Sequence, residues 1–275
     1  VLALWLGVVG LHRALPDGHP LRLATGGEAR VWLAFGVVAG LVAGYRALVL
    51  RLRVRAAPKE APAPSGAFRP AELERYARHI ILREIGGPGQ RKLKDSKVLV
   101  IGAGGLGSPA LMYLAGAGVG TLGFVDDDVV DGSNLQRQVI HAEDRIGMPK
   151  VFSAEVALRA LNPFVELRPY RRRLDEETAR GVFADYDLIL DGTDNFDTRY
   201  MVNRMAVEAG KPLISAAITQ WEGQVSLFHP GAGGPCYECV FPVRPAPGMV
   251  PSCAEAGVAA PLPGVIGSIM AMEAV

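Results

Sequence analysis

Three glycines are spaced as a phosphate-binding loop. Gly102, Gly104 and Gly107 form the pattern GxGxxG between an apolar segment and a segment of helical character. Glycines at this spacing allow a tight turn and a close backbone approach to a phosphate, which the N–H groups of the following helix then bind. Asp126 follows Gly107 by 19 residues, where a carboxylate can hold ribose hydroxyls. The pattern predicts a nucleotide site, and alone it favours NAD; a purely structural turn is the alternative.

Two cations and an amide follow this loop. Ser133 and Asn134 begin the run SNLQRQ, Arg137 lies three residues after Asn134, and Lys150 lies at the start of the next helical segment. Residues three apart share a face where the chain turns helically, so Asn134 and Arg137 are expected side by side. Cations beside a phosphate loop suit a triphosphate, whereas NAD carries only a diphosphate. Taken singly, either cation could equally be a solvated surface residue.

A second polar turn closes another apolar segment. The run DGTDN occupies 191–195, directly after DLIL. Ligands of open α/β sheets bind outside the carboxyl ends of the strands, so Asp194 and Asn195 are expected beside the same nucleotide. A carboxylate there suits Mg²⁺ bound with a triphosphate.

The chain has three cysteines, too few for a secreted domain held by disulfides. Cys236 and Cys239 form CxxC after a Gly-Gly-Pro run, and the pair is interpreted as half of a Cys₄ zinc site rather than a thioredoxin-like redox pair. Two thiolates alone would hold zinc poorly. Cys253 lies in SCAEAGV, where a small loop residue and a reactive thiol remain equal alternatives.

Alternating strands and helices must position these residues. Apolar runs predict strands at 97–101, 121–125, 165–170, 187–190 and 212–216, and helical spacing predicts helices at 71–85, 107–117, 149–161, 175–184 and 196–209. The glycines and proline at 86–89 are expected to end the first of these helices. Residues 218–228 have the pattern of an antiparallel hairpin. The rhythm predicts an α/β, Rossmann-like fold: a mostly parallel sheet with an antiparallel extension, covered on both faces.

Composition excludes several classes of protein. The 275 residues are 49% hydrophobic and carry 29 basic against 28 acidic side chains, a formal net charge of +1. Such a chain is too apolar to be disordered and can bury a sizeable core. Its near-zero charge argues against a nucleic-acid partner bound through bulk electrostatics.

The N-terminal region predicts a membrane anchor. Residues 31–50 contain a single charge, Arg46, and at about 1.5 Å per residue they could span a hydrocarbon core of about 30 Å. Arg51, Arg53 and Arg55 follow at once, which places the rest of the chain in the cytoplasm. Residues 1–15 are also apolar and are interpreted as the remnant of a first span. A signal peptide and a buried core helix are the alternatives.

Three regions follow from this organisation. Residues 1–55 are expected to form a membrane anchor of N-terminal transmembrane helices that precede the α/β fold. Residues 56–70, rich in Pro and Ala, are expected to be a semi-rigid linker. Residues 71–275 form the expected catalytic domain, which ends in an apolar run and is expected to be truncated at the C-terminus.

Eight motifs occur in an order that strongly resembles the MoeB/ThiF/HesA family, bacterial relatives of ubiquitin-activating enzymes. They are the run RYARHIIL at 75–82, the glycine loop, the acids at 126 and 128, SNLQRQ, GMPK at 147–150, DGTDN, and the cysteine motifs CYEC and CAEAG. The resemblance covers about 71–275, and the ordered set is far more specific than any one motif.

The resemblance implies an activity and a role for each motif residue. The family adenylylates the C-terminal glycine of a small ubiquitin-like sulfur carrier and releases pyrophosphate. Gly105 and its neighbours would cradle phosphate, and Asp126 would hold the ribose. Asn134, Arg137 and Lys150 would contact the triphosphate, Asp194 would bind Mg²⁺, and Arg78 would reach into a partner subunit's site.

The resemblance also implies cofactors and partners. The cofactors are ATP and Mg²⁺, with structural Zn²⁺ if two further C-terminal cysteines are present. The protein is expected to be a homodimer. Its partner is expected to be a carrier of the molybdopterin-synthase small-subunit type, which serves molybdenum cofactor biosynthesis. The same chemistry on the thiamine-pathway carrier is the close alternative. Two alternatives come from other functional classes: an NAD-dependent oxidoreductase, and a non-catalytic nucleotide-binding scaffold at the membrane. The expected location is the cell inner membrane, with the catalytic domain in the cytoplasm.

Overall fold

The computed structural model describes residues 2–26, 29–56, 68–246, 249 and 253–275. The chain divides into two compact units, residues 1–63 and 64–275. The expected linker at 56–70 lies mostly outside the described residues.

The first unit is a helical hairpin. Helices α1 (Leu2–Ala14) and α3 (Ala29–Ala56) are joined by the short helix α2 (Pro20–Ala24). The indole N–H of Trp5 donates to the carbonyl oxygen of Trp32 at 2.7 Å. Gly36 has no Cβ, and a Cβ there would overlap the Trp5 ring. Glycine at 36 therefore allows the indole to pack directly against α3.

One helix among the described residues is long and apolar enough to cross a membrane. Its span, Arg30–Val49, has 20 residues, and none of it is buried within the protein. The length and composition of this helix are those of a membrane span, and a signal sequence near an N-terminus has the same two properties.

The second unit is built on a six-stranded sheet in the order β3-β2-β1-β4-β5-β6. The first five strands run parallel, and β6 pairs antiparallel with β5. The sequence prediction of a mostly parallel sheet with an antiparallel extension is confirmed. The strands are β1 (Lys97–Ile101), β2 (Thr121–Val125), β3 (Glu166–Tyr170), β4 (Leu188–Asp191), β5 (Leu213–Ile218) and β6 (Gly223–Phe228).

Helices cover both faces of this sheet. They are α4 (Pro70–Ile81), α5 (Gly86–Asp95), α6 (Gly107–Ala117), α7 (Lys150–Leu161), α8 (Glu176–Phe183), α9 (Phe196–Glu208), α10 (Tyr237–Val240), α11 (Cys253–Ala256) and α12 (Pro261–Ala274). Side chains of β1 alternate between the two cores. Val98 and Val100 pack in the cluster formed with α6, α7 and α12, whereas Leu99 and Ile101 pack in the cluster with α8 and α9. This alternation is the period of two expected for a strand buried on both faces.

The strand order reverses at β1, which has β2 on one side and β4 on the other. Ile101, the last residue of β1, pairs with Val125 of β2 and with Asp191 of β4. The carboxyl ends of the three central strands therefore meet at one edge. In open α/β folds, ligands bind in the crevice at this reversal point.

Two local predictions were wrong. The first helix ends at Ile81, earlier than 85, and the glycines at 86–89 begin α5 instead of ending a helix. Gly86 has φ +58°, a conformation that glycine adopts without strain, and it redirects the chain into α5. The antiparallel hairpin predicted at 218–228 is present, but its bounds were wrong: it is formed by β5 and β6 and begins at Leu213, because β5 also pairs in parallel with β4.

Candidate active site at the carboxyl edge of the sheet

The phosphate loop needs glycine at two positions for backbone reasons. Gly102 has φ +93°, a left-handed conformation that strains other residues. A Cβ on Gly107, the first residue of α6, would overlap the carbonyl oxygen of Gly102. Glycine at these two positions therefore lets β1 turn directly into α6, whose first N–H groups face the carboxyl edge of the sheet.

Gly104 and Gly105 lie at the tip of this loop. A Cβ on Gly104 would lie 3.6 Å from the side-chain nitrogen of Gln138. A Cβ on Gly105 would lie 3.1 Å from the Cβ of Pro263, at the start of α12. The loop is therefore packed between α12 and the segment that follows β2, and its backbone has little freedom.

Asp126 directly follows β2 and holds the loop. Its Oδ2 accepts the N–H of Ala103 at 2.8 Å, and its Oδ1 accepts the N–H of Asp128 at 2.9 Å. Burial raises the pKa of this carboxyl above its ordinary value, against the opposing effects of the Lys150 charge and the two N–H groups. Each carboxylate oxygen keeps a lone pair, so Asp126 can also accept the hydroxyls of a ribose.

Three acids follow β2 in a row. One carboxylate oxygen from each of Asp126, Asp127 and Asp128 lies within 4.8 Å of the others. Asp127 and Asp128 are exposed. Such a group of hard oxygen donors is compatible with a divalent cation, although exposed acids commonly cluster without one.

Arg137 is oriented by its neighbours, as the spacing predicted. Its Nη2 donates to the side-chain oxygen of Asn134 at 2.8 Å. Ser133 donates its hydroxyl to Oδ1 of Asp131 at 2.6 Å, and a 3₁₀ turn spans Gly132–Asn134. The bonds from Ser133 lower the pKa of the Asp131 carboxyl. The side chain of Ser133 therefore holds the turn in place, and Asn134 orients the guanidinium of Arg137.

Lys150 is the first residue of α7, and its side chain is buried. Its Nζ donates to Oδ2 of Asp128 at 2.7 Å, and its backbone N–H donates to the carbonyl oxygen of Asp128 at 2.9 Å. This double contact ties α7 to the end of β2. The ammonium is therefore held beside the carboxylates that follow β2, and it is not a solvated surface cation.

The turn at 191–195 is held by a buried ion pair that sequence reasoning missed. Asp191 is fully buried, and its Oδ2 accepts from Nε of Arg199 at 3.2 Å and from the hydroxyl of Ser215 at 2.8 Å. Arg199 also donates to the carbonyl oxygens of Thr193 and Ala216. No sequence pattern indicated that Arg199 would pair with Asp191, because the pair forms only where α9 contacts β4.

Asp194 and Asn195 have different positions in this turn. Asp194 is exposed at the carboxyl end of β4. The side-chain oxygen of Asn195 accepts the N–H of Thr198 at 2.9 Å and so caps α9. The cap gives Asn195 a structural role beside the nucleotide-binding role expected from the sequence.

Two further predicted residue sets lie elsewhere. Arg78 lies on α4, and its side chain is exposed. The thiols of Cys236 and Cys239 lie 3.5 Å apart around the start of α10. Burial raises the pKa of the Cys236 thiol, but hydrogen bonds from Cys239, Asn203 and the backbone of Glu238 outweigh it, so the pKa is lowered.

The separation of the two thiols suits neighbouring ligands of a tetrahedral zinc ion, which holds thiolates at about 2.3 Å. Within the part of the chain that the structure describes, these are the two free cysteines. Helix α11 begins at Cys253, but the side chain of that residue lies outside the described set.

One buried histidine also belongs to this edge of the sheet and was not predicted. His141 contacts the carbonyl oxygen of Ala103 through Nε2 at 3.0 Å and the hydroxyl of Ser153 through Nδ1 at 2.9 Å. Burial lowers the pKa of the ring to about 4. Its position after a polar run gave no sign that it would reach back to the phosphate loop.

Comparison with known proteins is consistent with this geometry. The model of the ThiF family matches residues 76–275. A sulfur carrier protein adenylyltransferase of Thermus thermophilus is 52% identical over 207 residues, which cover 74% of this chain and 76% of the relative. A probable adenylyltransferase/sulfurtransferase, MoeZ, of Mycobacterium tuberculosis is 51% identical over 215 residues, covering 77% of this chain and 55% of the relative.

A solved structure has the same fold. The crystal structure of Escherichia coli MccB with ATP superposes with a TM-score of 0.62 and 25% sequence identity. The match covers 77% of this chain and 64% of MccB. The chain therefore spans about three quarters of the Thermus relative and only about half of MoeZ.

Proposed function

The chain belongs to the ThiF family and is a nucleotidyltransferase, and from this premise we propose that it adenylylates the C-terminal carboxylate of a ubiquitin-like sulfur carrier. ATP is the donor, and pyrophosphate leaves. One observation carries the proposal: Asp126, Arg137 and Lys150 gather around one phosphate loop where the strand order reverses. The 52% identity to a sulfur carrier protein adenylyltransferase supports the same reaction.

The reaction needs positioned charge more than proton transfer. A chain-terminal carboxylate has a pKa of about 3.5, so it is ionised at neutral pH and needs no general base. Its oxygen attacks the α-phosphorus, a C–O–P bond forms, and the bond to the bridging oxygen of pyrophosphate breaks with its electron pair. Charge builds on the leaving pyrophosphate, and fixed cations stabilise that charge best.

The structure suggests how each side chain contributes. Arg137, held by Asn134, and Lys150, held by Asp128, supply the two cations. An ammonium has three N–H donors, so Lys150 can keep Asp128 and still donate two to phosphate oxygens. The backbone around Gly104 and Gly105 accommodates phosphate, and Asp126 accepts ribose hydroxyls.

A divalent cation fits this chemistry. Asp194 offers an exposed carboxylate at the end of β4, and the acids at 126–128 offer three more. Mg²⁺ prefers such oxygen ligands together with phosphate and water, and when bound it would neutralise part of the triphosphate charge. We assign Asp194 as its protein ligand, as the DGTDN motif predicted.

Zinc fits only in part. Cys236 and Cys239 supply two neighbouring thiolates, and a structural zinc site needs four ligands. We propose that this pair is one half of such a site, which requires two further donors from outside the described residues. Its role would be structural, because the pair packs against α9, where the side chain of Asn203 donates to the sulfur of Cys236.

The carrier is proposed to be of the molybdopterin-synthase small-subunit type. The thiamine-pathway carrier is the second candidate, since both end in the same chemistry at a C-terminal glycine. ATP–pyrophosphate exchange with each purified carrier distinguishes them: the true carrier gives exchange at low concentration. Exchange with neither carrier would contradict the proposed reaction.

The sequence motifs alone left an NAD-dependent oxidoreductase as the alternative of another class, because a glycine loop with a following acid is common in NAD enzymes, whereas the match to the ThiF family favours the nucleotidyltransferase. Calorimetric titration with ATP and with NADH separates the two. We expect binding of ATP and none of NADH. Binding of NADH alone would replace the proposal, and nucleotide binding without pyrophosphate release would indicate a scaffold.

We further propose that the enzyme is a homodimer in which Arg78 completes the partner subunit's site. Its exposure on α4 supports this assignment. Mixing inactive Arg78→Ala and Arg137→Ala proteins tests it, because a mixed dimer has one site with both arginines. Recovered exchange activity in the mixture supports the assignment, and no recovery in a mixture proven to exchange subunits contradicts it.

We also propose that the first unit anchors the enzyme in the cell inner membrane, with the catalytic domain in the cytoplasm. Support comes from the apolar span Arg30–Val49 and the arginines that follow it. The full chain expressed in bacteria should remain in the membrane pellet after an alkaline carbonate wash. Release by the wash would indicate a peripheral or soluble protein.

A further inference from the structure

His141 connects the phosphate loop with α7, two segments whose residues are proposed to bind the nucleotide. Its Nε2 contacts the carbonyl oxygen of Ala103 in the phosphate loop at 3.0 Å. Its Nδ1 contacts the hydroxyl of Ser153 at 2.9 Å, and Ser153 lies on α7, three residues after Lys150. The ring is therefore a bridge between the phosphate loop and the helix that begins with the ammonium.

The partners determine the state of the ring. A backbone carbonyl can only accept a hydrogen bond, so Nε2 must carry the hydrogen. A neutral ring then accepts at Nδ1, where the hydroxyl of Ser153 donates. Burial lowers the pKa to about 4, which keeps the ring neutral at physiological pH, and the nearby charges of Lys150 and Arg145 act in the same direction.

Ala103 is held from two sides. Its N–H donates to Asp126, and its carbonyl oxygen accepts from His141. Ala103 and Ser153 are both fully buried, so no solvent competes for these bonds. The residue between the first two glycines of the loop is therefore fixed by the ribose-binding acid and by the histidine.

We propose that His141 is a positioning residue for adenylyl transfer, which sets the distance between the phosphate loop and Lys150. The proposal rests on the proposed function, since it concerns how that site is organised. The ring does not touch the reacting atoms. It acts through Ala103 and through the Ser153 turn of α7.

The physical reason is preorganisation. Cations and N–H groups stabilise the charge of a transition state best when they need not move during the reaction. Loss of the bridge would let the loop and α7 shift relative to each other. A displacement of about 1 Å in a site of this kind can reduce the rate about 100-fold.

Three variants of the full chain test the proposal: His141→Ala, His141→Gln and Ser153→Ala. The amide nitrogen of glutamine can replace the Nε2 donor, whereas alanine replaces neither contact. In ATP–pyrophosphate exchange we expect His141→Ala to lower kcat and raise the KM for ATP, each about tenfold or more, with the KM for the carrier unchanged. His141→Gln should recover most of both losses, and Ser153→Ala should show a smaller change in the same direction.

A merely structural role would give another result. Partial unfolding lowers the active fraction and hence the apparent kcat, but it leaves the KM for ATP unchanged. That outcome in folded His141→Ala would overturn the proposal. If His141→Ala does not fold, the Ser153→Ala variant tests the proposal instead, and an unchanged KM for ATP in that variant would overturn the positioning role. His229→Gln, a histidine at the end of β6, is the matched control and should behave as the wild type.

Direct titration with ATP separates this proposal from the carrier assignment. The affinity for ATP needs no carrier, so it tests the bridge even if no carrier supports exchange. We expect His141→Ala to bind ATP about tenfold more weakly and His141→Gln to bind it nearly as well as the wild type. Equal affinity in all three proteins would refute the positioning role and leave the proposed function standing.

Discussion

The ammonium of Lys150 and the carboxylate of Asp128 lie 2.7 Å apart, with the lysine side chain buried and the aspartate largely exposed. The same two residues are joined through their backbones, because the N–H of Lys150 donates to the carbonyl oxygen of Asp128. A side chain held by the same partner residue through both its ammonium and its backbone stays in place. Asp128 thus holds the ammonium of Lys150 at the start of α7 before any ligand arrives.

Replacement of Lys150 should therefore affect the reaction strongly. Lys150→Met removes a fixed positive charge beside the leaving pyrophosphate, and we expect exchange to fall by about 10²- to 10³-fold, the cost of losing one stabilising donor. ATP–pyrophosphate exchange measures the loss. Lys92→Met, an exposed lysine on α5, is the control, and an equal loss in both variants would argue against a specific role for Lys150.

Replacement of Arg199 should affect stability before activity. Arg199→Leu leaves the buried carboxylate of Asp191 without its cation, and breaking such a pair costs about 3–5 kcal/mol of unfolding free energy. Chemical denaturation monitored by fluorescence measures the change. Arg180→Leu, which removes a surface pair with Glu208, should have a much smaller effect. A loss in Arg199→Leu no larger than in that control would contradict the buried network.

The stability of the catalytic domain should depend on His141 at acidic pH. The pKa of this ring is about 4 in the folded protein against 6.5 for an ordinary histidine, so only the unfolded chain binds the proton between these values. The unfolding free energy should therefore be highest above pH 6.5 and fall as the pH falls toward 4. His141→Gln should flatten this part of the profile, and an unchanged slope would show that other groups cause it.

Alanine at position 107 should disrupt the phosphate loop. A Cβ there overlaps the carbonyl oxygen of Gly102, which is backbone and cannot move aside as a side chain can. We expect Gly107→Ala to lose measurable ATP binding in calorimetric titration. Gly116→Ala lies in the same helix with no atom within 4 Å of the added carbon, and it should bind ATP normally. Normal binding by Gly107→Ala would mean that the loop does not hold the phosphates.

Several strands and the local geometry of the motifs were predictable because their signals are local. Strand β1, helix α6 and strand β2 have the predicted bounds, because glycines separate these three short segments and mark where each apolar pattern begins or ends. Asn134 and Arg137 are neighbours as their spacing predicted. The glycines at 86–89 misled the prediction, because Gly86 adopts a left-handed conformation that turns the chain directly into α5.

The sequence alone predicted the glycine loop between β1 and α6, the contact of Arg137 with Asn134 and the alternating α/β order, because these features depend on residue types and on neighbours a few positions away. Only the tertiary structure revealed that His141 bridges Ala103 and Ser153 and that Arg199 neutralises Asp191. These contacts join residues that lie 8 to 38 positions apart. They exist because the parallel sheet brings the ends of separate strands to one edge, where buried polar groups must find partners.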